Sequence, residues 1–481
     1  MGQLLLEKNM SAMRFPILFI LLAVVVASLC QSCNSSAGDE SELQGAVLIL
    51  LDTVRADRLA CYGYERQSAP VLSRLADEGV LFEKAVAFAP WTLPSMVNVF
   101  TGNRVDSSTF GKTLNYSLVE TLAGAQIATA GITEGGFVSS QLGFNRGFSK
   151  YVDEGGDVAV QADGRSVLMN MSDPEGRIEK TFSQAKEWLA AHKEEKFFLY
   201  IHTYEAHTPY TRTTFTEGMD PGAVGETFTL DKLDLLQSGA LTFDAKEIAY
   251  LNALYDGGIA KCDEQVGEFL AYLEEIGLRD RTMIVVTSDH GEELGDHYPS
   301  FSGEHGHSLY DELLLVPLIV HDPTRSYPKK RIGEQVRLMD VMPTVLDSFG
   351  LGPDRPTAGK SLCPLMEGDE TRGRAAIGGV TKAGPQRVFA RWLGYKSIWA
   401  VGPPSGSHPL SPPPPPVALF DLRADPGEER DISSRNPEIV KKMKEVLSGM
   451  EWTKDERDRF SLPDDMDDAF RRRLESLGYI R

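Results

Sequence analysis

Ala46-Val47-Leu48-Ile49-Leu50-Leu51-Asp52 is an unbroken apolar run closed by a carboxylate. A strand with one wet face alternates apolar and polar residues. A run that is apolar at every position predicts a strand covered on both faces, as parallel strands between helices are. The pattern recurs: Phe197-Phe198-Leu199-Tyr200-Ile201 runs into His202, and Thr282-Met283-Ile284-Val285-Val286 runs towards Ser288-Asp289-His290-Gly291. Val316-Pro317-Leu318-Ile319-Val320 predicts one further strand. Helical segments separate these runs. One starts at Ser68-Ala69-Pro70, with Ser68 as the expected N-cap and Gly79 as the stop, and a second runs from Thr92-Leu93-Pro94 to Gly102. Others are expected over residues 178–192, 245–276 and 339–348. Strands alternating with helices predict an α/β fold with a mostly parallel sheet flanked by helices.

Past Gly350 the character changes. Proline-rich stretches appear at 403–404 and 412–416, short strand-like pieces at 388–392 and 395–401, and a helical tail from Pro437. A smaller C-terminal α+β subdomain over residues 371–481 follows from this, after a catalytic domain over 45–370. The proline run reads as a surface loop rather than a recognition segment.

The chain has 481 residues and a formal charge of −20, without a basic stripe to neutralise phosphates, which argues against a nucleic-acid partner. An anionic small substrate remains compatible, because a metal or a few cations can reverse the field inside one cleft. Residues 15–29 form an apolar run behind Lys8 and Arg14, too short for a typical span and expected to be the core of an export signal over residues 1–33. Residues 34–44 read as a polar spacer. Cys30 and Cys33 leave two readings open: a plainly cleaved signal, or a lipoprotein signal with Cys33 as the lipidated residue and membrane attachment through that lipid. Either predicts an exported protein of the periplasm or cell surface. Cys61, Cys262 and Cys363 show no paired spacing and are expected to be small buried apolar residues.

In open α/β sheets, ligands sit at the carboxyl ends of the strands. Three such ends carry metal-competent groups: Asp52; His202 and His207; Asp289 and His290. Singly, Asp52 could cap a helix and Asp289-His290 could open a turn. As a set they predict a site for a divalent cation such as Ca, Mn, Mg or Zn. Thr92 stands at a predicted helix start, where free N–H groups favour an anion, and its hydroxyl is the candidate nucleophile and a further metal contact. In isolation it would be only an N-cap. His207 and His305, soon after strand ends, are candidates to contact a substrate oxyanion or act as general acid.

These segments resemble the sulfatase family of the alkaline phosphatase superfamily. The resemblance is carried by Asp52-Thr53-Val54-Arg55-Ala56-Asp57, Trp91-Thr92-Leu93-Pro94-Ser95-Met96, Gly143-Phe144-Asn145-Arg146-Gly147 and His207-Thr208-Pro209-Tyr210. Ser288-Asp289-His290-Gly291-Glu292, the run from His305 to Pro317, Asp340-Val341-Met342-Pro343, Leu419-Phe420-Asp421 and the closing Leu477-Gly478-Tyr479-Ile480 continue it in order from about residue 45. It implies the alkaline-phosphatase-like fold, with Asp52, Asp289 and His290 as metal ligands, Thr92 as nucleophile, and His207 and His305 on the substrate side.

The departures from the family are chemical. Typical members carry a Cys or Ser that becomes formylglycine, followed by Pro-Ser-Arg; here Thr92 and Met96 occupy those places, so no formylglycine is expected. Thr53 stands where many members have a second Asp, and residues 133–136 show no counterpart of the family's Lys/His pair. Threonine is what phosphotransferring relatives use. The expected function is therefore a metal-dependent, sulfatase-like hydrolase of sulfate or phosphate esters, acting on a small-molecule, glycan or lipid ester. An envelope transferase of the phosphoethanolamine or glycerophosphate type, and a non-catalytic ligand-binding relative, stand as alternatives.

Overall fold

The computed structural model describes residues 42–448, except 107–108, 110–112, 154–157, 161–165, 169–176, 300–301, 329, 380, 383–385 and 402–414, together with residues 468–476. The expected export signal, nearly all of the spacer, most of the proline run and the closing Leu477-Gly478-Tyr479-Ile480 lie outside the described residues. Among these residues, no helix is long and apolar enough to cross a membrane.

The opening apolar run is the strand Gly45–Leu51, buried at every position. It pairs in parallel with Phe197–Thr203 on one side and Thr282–Thr287 on the other. The eight-stranded sheet places its strands in the order Arg331–Ile332, Val80–Phe82, Leu318–His321, Thr282–Thr287, Gly45–Leu51, Phe197–Thr203, Ala128–Thr133, Lys150–Asp153. Only Leu318–His321 runs antiparallel to its neighbours. Alternate residues of the central strand feed two cores. Ala46, Leu48 and Leu50 pack with the helix Thr92–Thr101 and the helix Val341–Ser348. Val47, Ile49 and Leu51 face the helices Pro70–Glu78, Arg177–His192 and Ala245–Glu275. That two-sided burial is why the run is continuously apolar.

Three expectations need correction. The strand expected over 316–320 is broken at Pro317, which has no N–H to give a ladder: Leu315–Val316 pairs with Ala85–Val86 in a small separate sheet, and Leu318–His321 joins the main one. Ser68 is not the N-cap of the first long helix; Ala69 occupies that position, and the Ser68 hydroxyl instead donates to Arg58 O at 2.7 Å. Cys61 is only half-buried, whereas Cys262 and Cys363 are buried as expected.

The C-terminal subdomain contains a four-stranded antiparallel sheet, Ala376–Gly379, Arg387–Trp392, Tyr395–Ala400 and Val417–Asp421 in sequence order, with the helix Pro437–Leu447 packed on it through Met443 and Leu447. A buried ion cluster ties it to the main body. Lys396, wholly buried on the sheet, reaches Asp311 at 2.8 Å and Glu428 at 2.9 Å, and Arg391 adds a pair to Asp311 at 2.9 Å.

Candidate active site

Strand register brings the site together. Leu50 stands opposite both His202 and Thr287, so the residues that follow these three strands emerge at one edge. Asp52 N donates to Thr203 O at 3.1 Å, and Thr53 N donates to Asp289 Oδ1 at 3.4 Å. Thr53 adopts a left-handed φ of 61°, a conformation a β-branched residue takes only when its surroundings impose it. Arg55, buried, fastens the turn by donating to Glu292 O at 3.1 Å and pairing with Asp57 at 2.7 Å and Asp296 at 2.6 Å.

Asp52, Asp289 and His290 are completely buried, and one ligand atom from each lies within 4.8 Å of the others. Their arrangement fits a cation. Gly291 O accepts at 2.8 Å from His290 Nδ1, and a carbonyl can only accept, so Nδ1 holds the proton and Nε2 presents a lone pair. That lone pair faces Asp289 Oδ2 at 3.4 Å and Asp52 Oδ1 at 3.9 Å. Neither carboxylate oxygen has a hydrogen-bond partner among the described residues. Three acceptors turned towards one another in a dry interior repel unless a positive charge lies between them. Burial, reinforced by Asp289, pushes the Asp52 carboxyl well above its ordinary value, which is the same repulsion expressed as proton affinity.

Thr92 opens the helix Thr92–Thr101 at its first position, behind Trp91 as N-cap, so it is not the cap itself. Its Oγ1 lies 3.3 Å from His290 Nε2 and donates 3.4 Å to Asp52 Oδ2, with the whole side chain buried. Ser95 Oγ donates to Ala89 O at 2.8 Å and holds the loop before the helix in place. Met96, at the position where typical relatives carry Arg, points into the core and is fully buried.

Both candidate histidines stand beside this centre. The His305 ring is 4.3 Å from that of His290, and the His207 ring is 5.0 Å from that of His305. His207 Nδ1 donates to Thr208 O at 2.6 Å, which leaves Nε2 as acceptor; burial lowers its pKa to about 3. His305 Nδ1 faces Glu292 Oε1 at 3.0 Å, while Tyr210 donates to Glu292 Oε2 at 2.9 Å. Burial, and after it the charge of Glu304, raises the Glu292 carboxyl well above the usual range. Burial also lowers His305 well below its ordinary value.

All six candidates are thus gathered in one buried cluster. His202 joins them, with Nε2 3.4 Å from Asp52 Oδ2 and its pKa lowered to about 4 by burial. Glu292 carries no signal of its role in the sequence, although it follows Asp289-His290-Gly291 directly. Its partner lies 13 residues on, and no spacing rule links the two.

A family model described as Sulfatase matches residues 44–351. The multifunctional alkaline phosphatase superfamily protein PehA of Trinickia caryophylli is 30% identical over 236 residues, 42% of this chain and 45% of that protein. Human iduronate 2-sulfatase is 25% identical over 374 residues, 66% of each chain. The chain therefore spans less than two thirds of the length of either relative. Among solved structures, the phosphonate monoester hydrolase of Agrobacterium radiobacter superposes with a TM-score of 0.65 at 18% identity, covering 84% of this chain and 95% of that one, a likeness of fold.

Proposed function

The chain belongs to the sulfatase family, and from that premise we propose that it hydrolyses sulfate or phosphate esters with Thr92 as nucleophile. The observation that carries this reading is the Thr92 hydroxyl, 3.3 Å from His290 Nε2 and 3.4 Å from Asp52 Oδ2 at the start of a buried helix. Asp52, Asp289 and His290 would hold a divalent cation of the Ca, Mn, Mg or Zn class. Bound there, it supplies positive charge to the threonine oxygen and to the oxyanion of the ester.

The two histidines take opposite roles. Glu292 keeps a proton because burial raises its carboxyl, and it shares that proton with His305 Nδ1. Whichever partner holds the shared proton, His305 Nε2 carries a hydrogen and can donate. His207, protonated on Nδ1, offers a lone pair on Nε2. Thr92 Oγ1 then forms a bond to phosphorus or sulfur, its own proton directed towards Asp52 Oδ2. The ester oxygen leaves with the proton of His305 Nε2, replaced at Nδ1 from Glu292. Water next attacks the threonine ester, its proton passing to His207 Nε2 and on to the His305–Glu292 pair that gave one up, while Thr92 Oγ1 departs with the proton returned from Asp52 Oδ2.

Threonine has no second hydroxyl from which to expel sulfate, so its ester must be cleaved by water. This chemistry serves phosphate monoesters and diesters at least as well as sulfates. The test is a panel of aryl phosphates, phosphodiesters, phosphonates and sulfates. Wild type turns over at least one, chelator abolishes that turnover, and Thr92→Ala reduces it by about a thousandfold or more. Full activity in Thr92→Ala would remove the nucleophile assignment. Export, with or without an N-terminal lipid, belongs to the same reading and is checked by mass spectrometry of the mature N-terminus.

A further inference from the structure

We propose that Lys382, carried into the site by the C-terminal subdomain, binds the anionic oxygens of the group being transferred; this rests on the ester-hydrolase reading above. The chain path puts it there. The strand Ala376–Gly379 is clamped against the segment leading to Trp91: Gly379 N donates to Phe88 O at 2.9 Å, and a Cβ on Gly378 would stand 1.9 Å from the same carbonyl. Two residues on, Thr381 is buried and its carbonyl accepts from Gln386 Nε2 at 2.7 Å. Lys382 N then donates to Gly306 O at 2.7 Å, the residue after His305. Gly306, with φ of 83°, has no room for a side chain: its Cβ would lie 2.8 Å from Lys382 Cβ and 3.7 Å from Trp91 Cβ. Three backbones therefore converge: the one that caps the Thr92 helix, the one that carries His305, and the one that carries Lys382.

A further cation at this place adds to the charge that draws an anionic ester past the buried Asp52 and Asp289 carboxyls. The Lys382 stem runs along Gly306, with Cδ 3.5 Å from where a Cβ would stand there. A lysine anchored at the glycine that follows His305 and touches the nucleophile's cap is placed to hold a phosphoryl or sulfuryl oxygen.

The test is binding of inorganic phosphate to the full-length protein by calorimetry, alongside steady-state kinetics with sulfate and phosphate as competitive inhibitors. Lys382→Ala and Lys382→Gln should each weaken phosphate binding by about ten- to a hundredfold. They should raise KM for the best ester by a similar factor, with an unchanged melting temperature. Lys382→Arg should recover most of both. An active wild type whose Lys382→Ala and Lys382→Gln forms bind phosphate within twofold of it would overturn the proposal. So would a Lys382→Arg form as weak as Lys382→Ala, since charge would then not be the cause. If wild type binds phosphate in a Lys382-dependent way yet hydrolyses no ester, the lysine assignment stands and the hydrolase reading fails.

Discussion

Glu292 Oε1 lies 3.0 Å from His305 Nδ1, and both side chains are buried, so a carboxyl that burial inclines to stay protonated is set directly behind a histidine whose ring is 4.3 Å from that of His290. Glu292→Gln keeps an N–H to face Nδ1 but has no proton to release. With 4-nitrophenyl esters, whose leaving group needs little protonation, kcat should fall by about threefold or less; with alkyl esters it should fall by about 10–100-fold. A leaving-group series measured on both forms decides the matter. Parallel plots for wild type and Glu292→Gln would remove the proton relay.

At the candidate cation site, the effect of one substitution on stability should reverse sign with the ion. Without a cation, burial and then the neighbouring Asp289 both oppose ionisation of Asp52. In the presence of chelator, Asp289→Asn should therefore melt higher than wild type, by on the order of 1–3 kcal/mol. With saturating divalent ion, wild type should gain the binding free energy and overtake the variant. Differential scanning calorimetry with and without ion checks both halves, and an Asp289→Asn form less stable than wild type under both conditions would count against the site.

Outside the site, His297 should set an alkaline limit to stability. Burial opposes its charge, but the hydrogen bond and charge of Glu312, 2.8 Å away, outweigh burial and raise its pKa to about 9. A histidine whose folded pKa exceeds the unfolded value of about 6.5 stabilises fully below that value and loses the contribution as pH rises through 9. Between these two pH values wild type should lose on the order of 1–3 kcal/mol that His297→Gln does not lose. Equal pH slopes in urea melts of the two proteins would refute it.

Lys396 holds the C-terminal sheet to the main body through buried charges. Burial alone would raise the Asp311 carboxyl; Arg391 and Lys396 outweigh it and hold it down to about 2. Lys396→Met leaves Glu428 and Asp311 without that ammonium and should cost about 3–5 kcal/mol. The combined Lys396→Met, Asp311→Asn, Glu428→Gln protein should recover a large part of this, since neutral groups carry no such debt. Chemical denaturation of the two proteins reads the difference.

The strands of the sheet were legible in the sequence because burial on both faces leaves a mark at every position, and 45–51, 197–203 and 282–287 carry it. Asp52, Thr92, Asp289 and His290 were legible for a related reason: each sits at an element end, and parallel strands deliver their ends to one edge. The break at Pro317 leaves no mark in the sequence, because an apolar run looks continuous whether or not one member can donate to the ladder. The role of Ser68 is equally hidden, because a hydroxyl near a helix start has other carbonyls to find.

By itself, then, the chain's local order determined which residues end strands and start helices, and with them the family and the cluster of ligand-type groups. Only the folded molecule decided which atoms face one another. The Glu292–His305 contact crosses a loop, and Lys382 arrives at Gly306 from beyond the sheet domain. The physical reason is that hydrogen bonds and charges act over a few ångströms of space, whereas periodicity records only a residue's immediate neighbours along the chain.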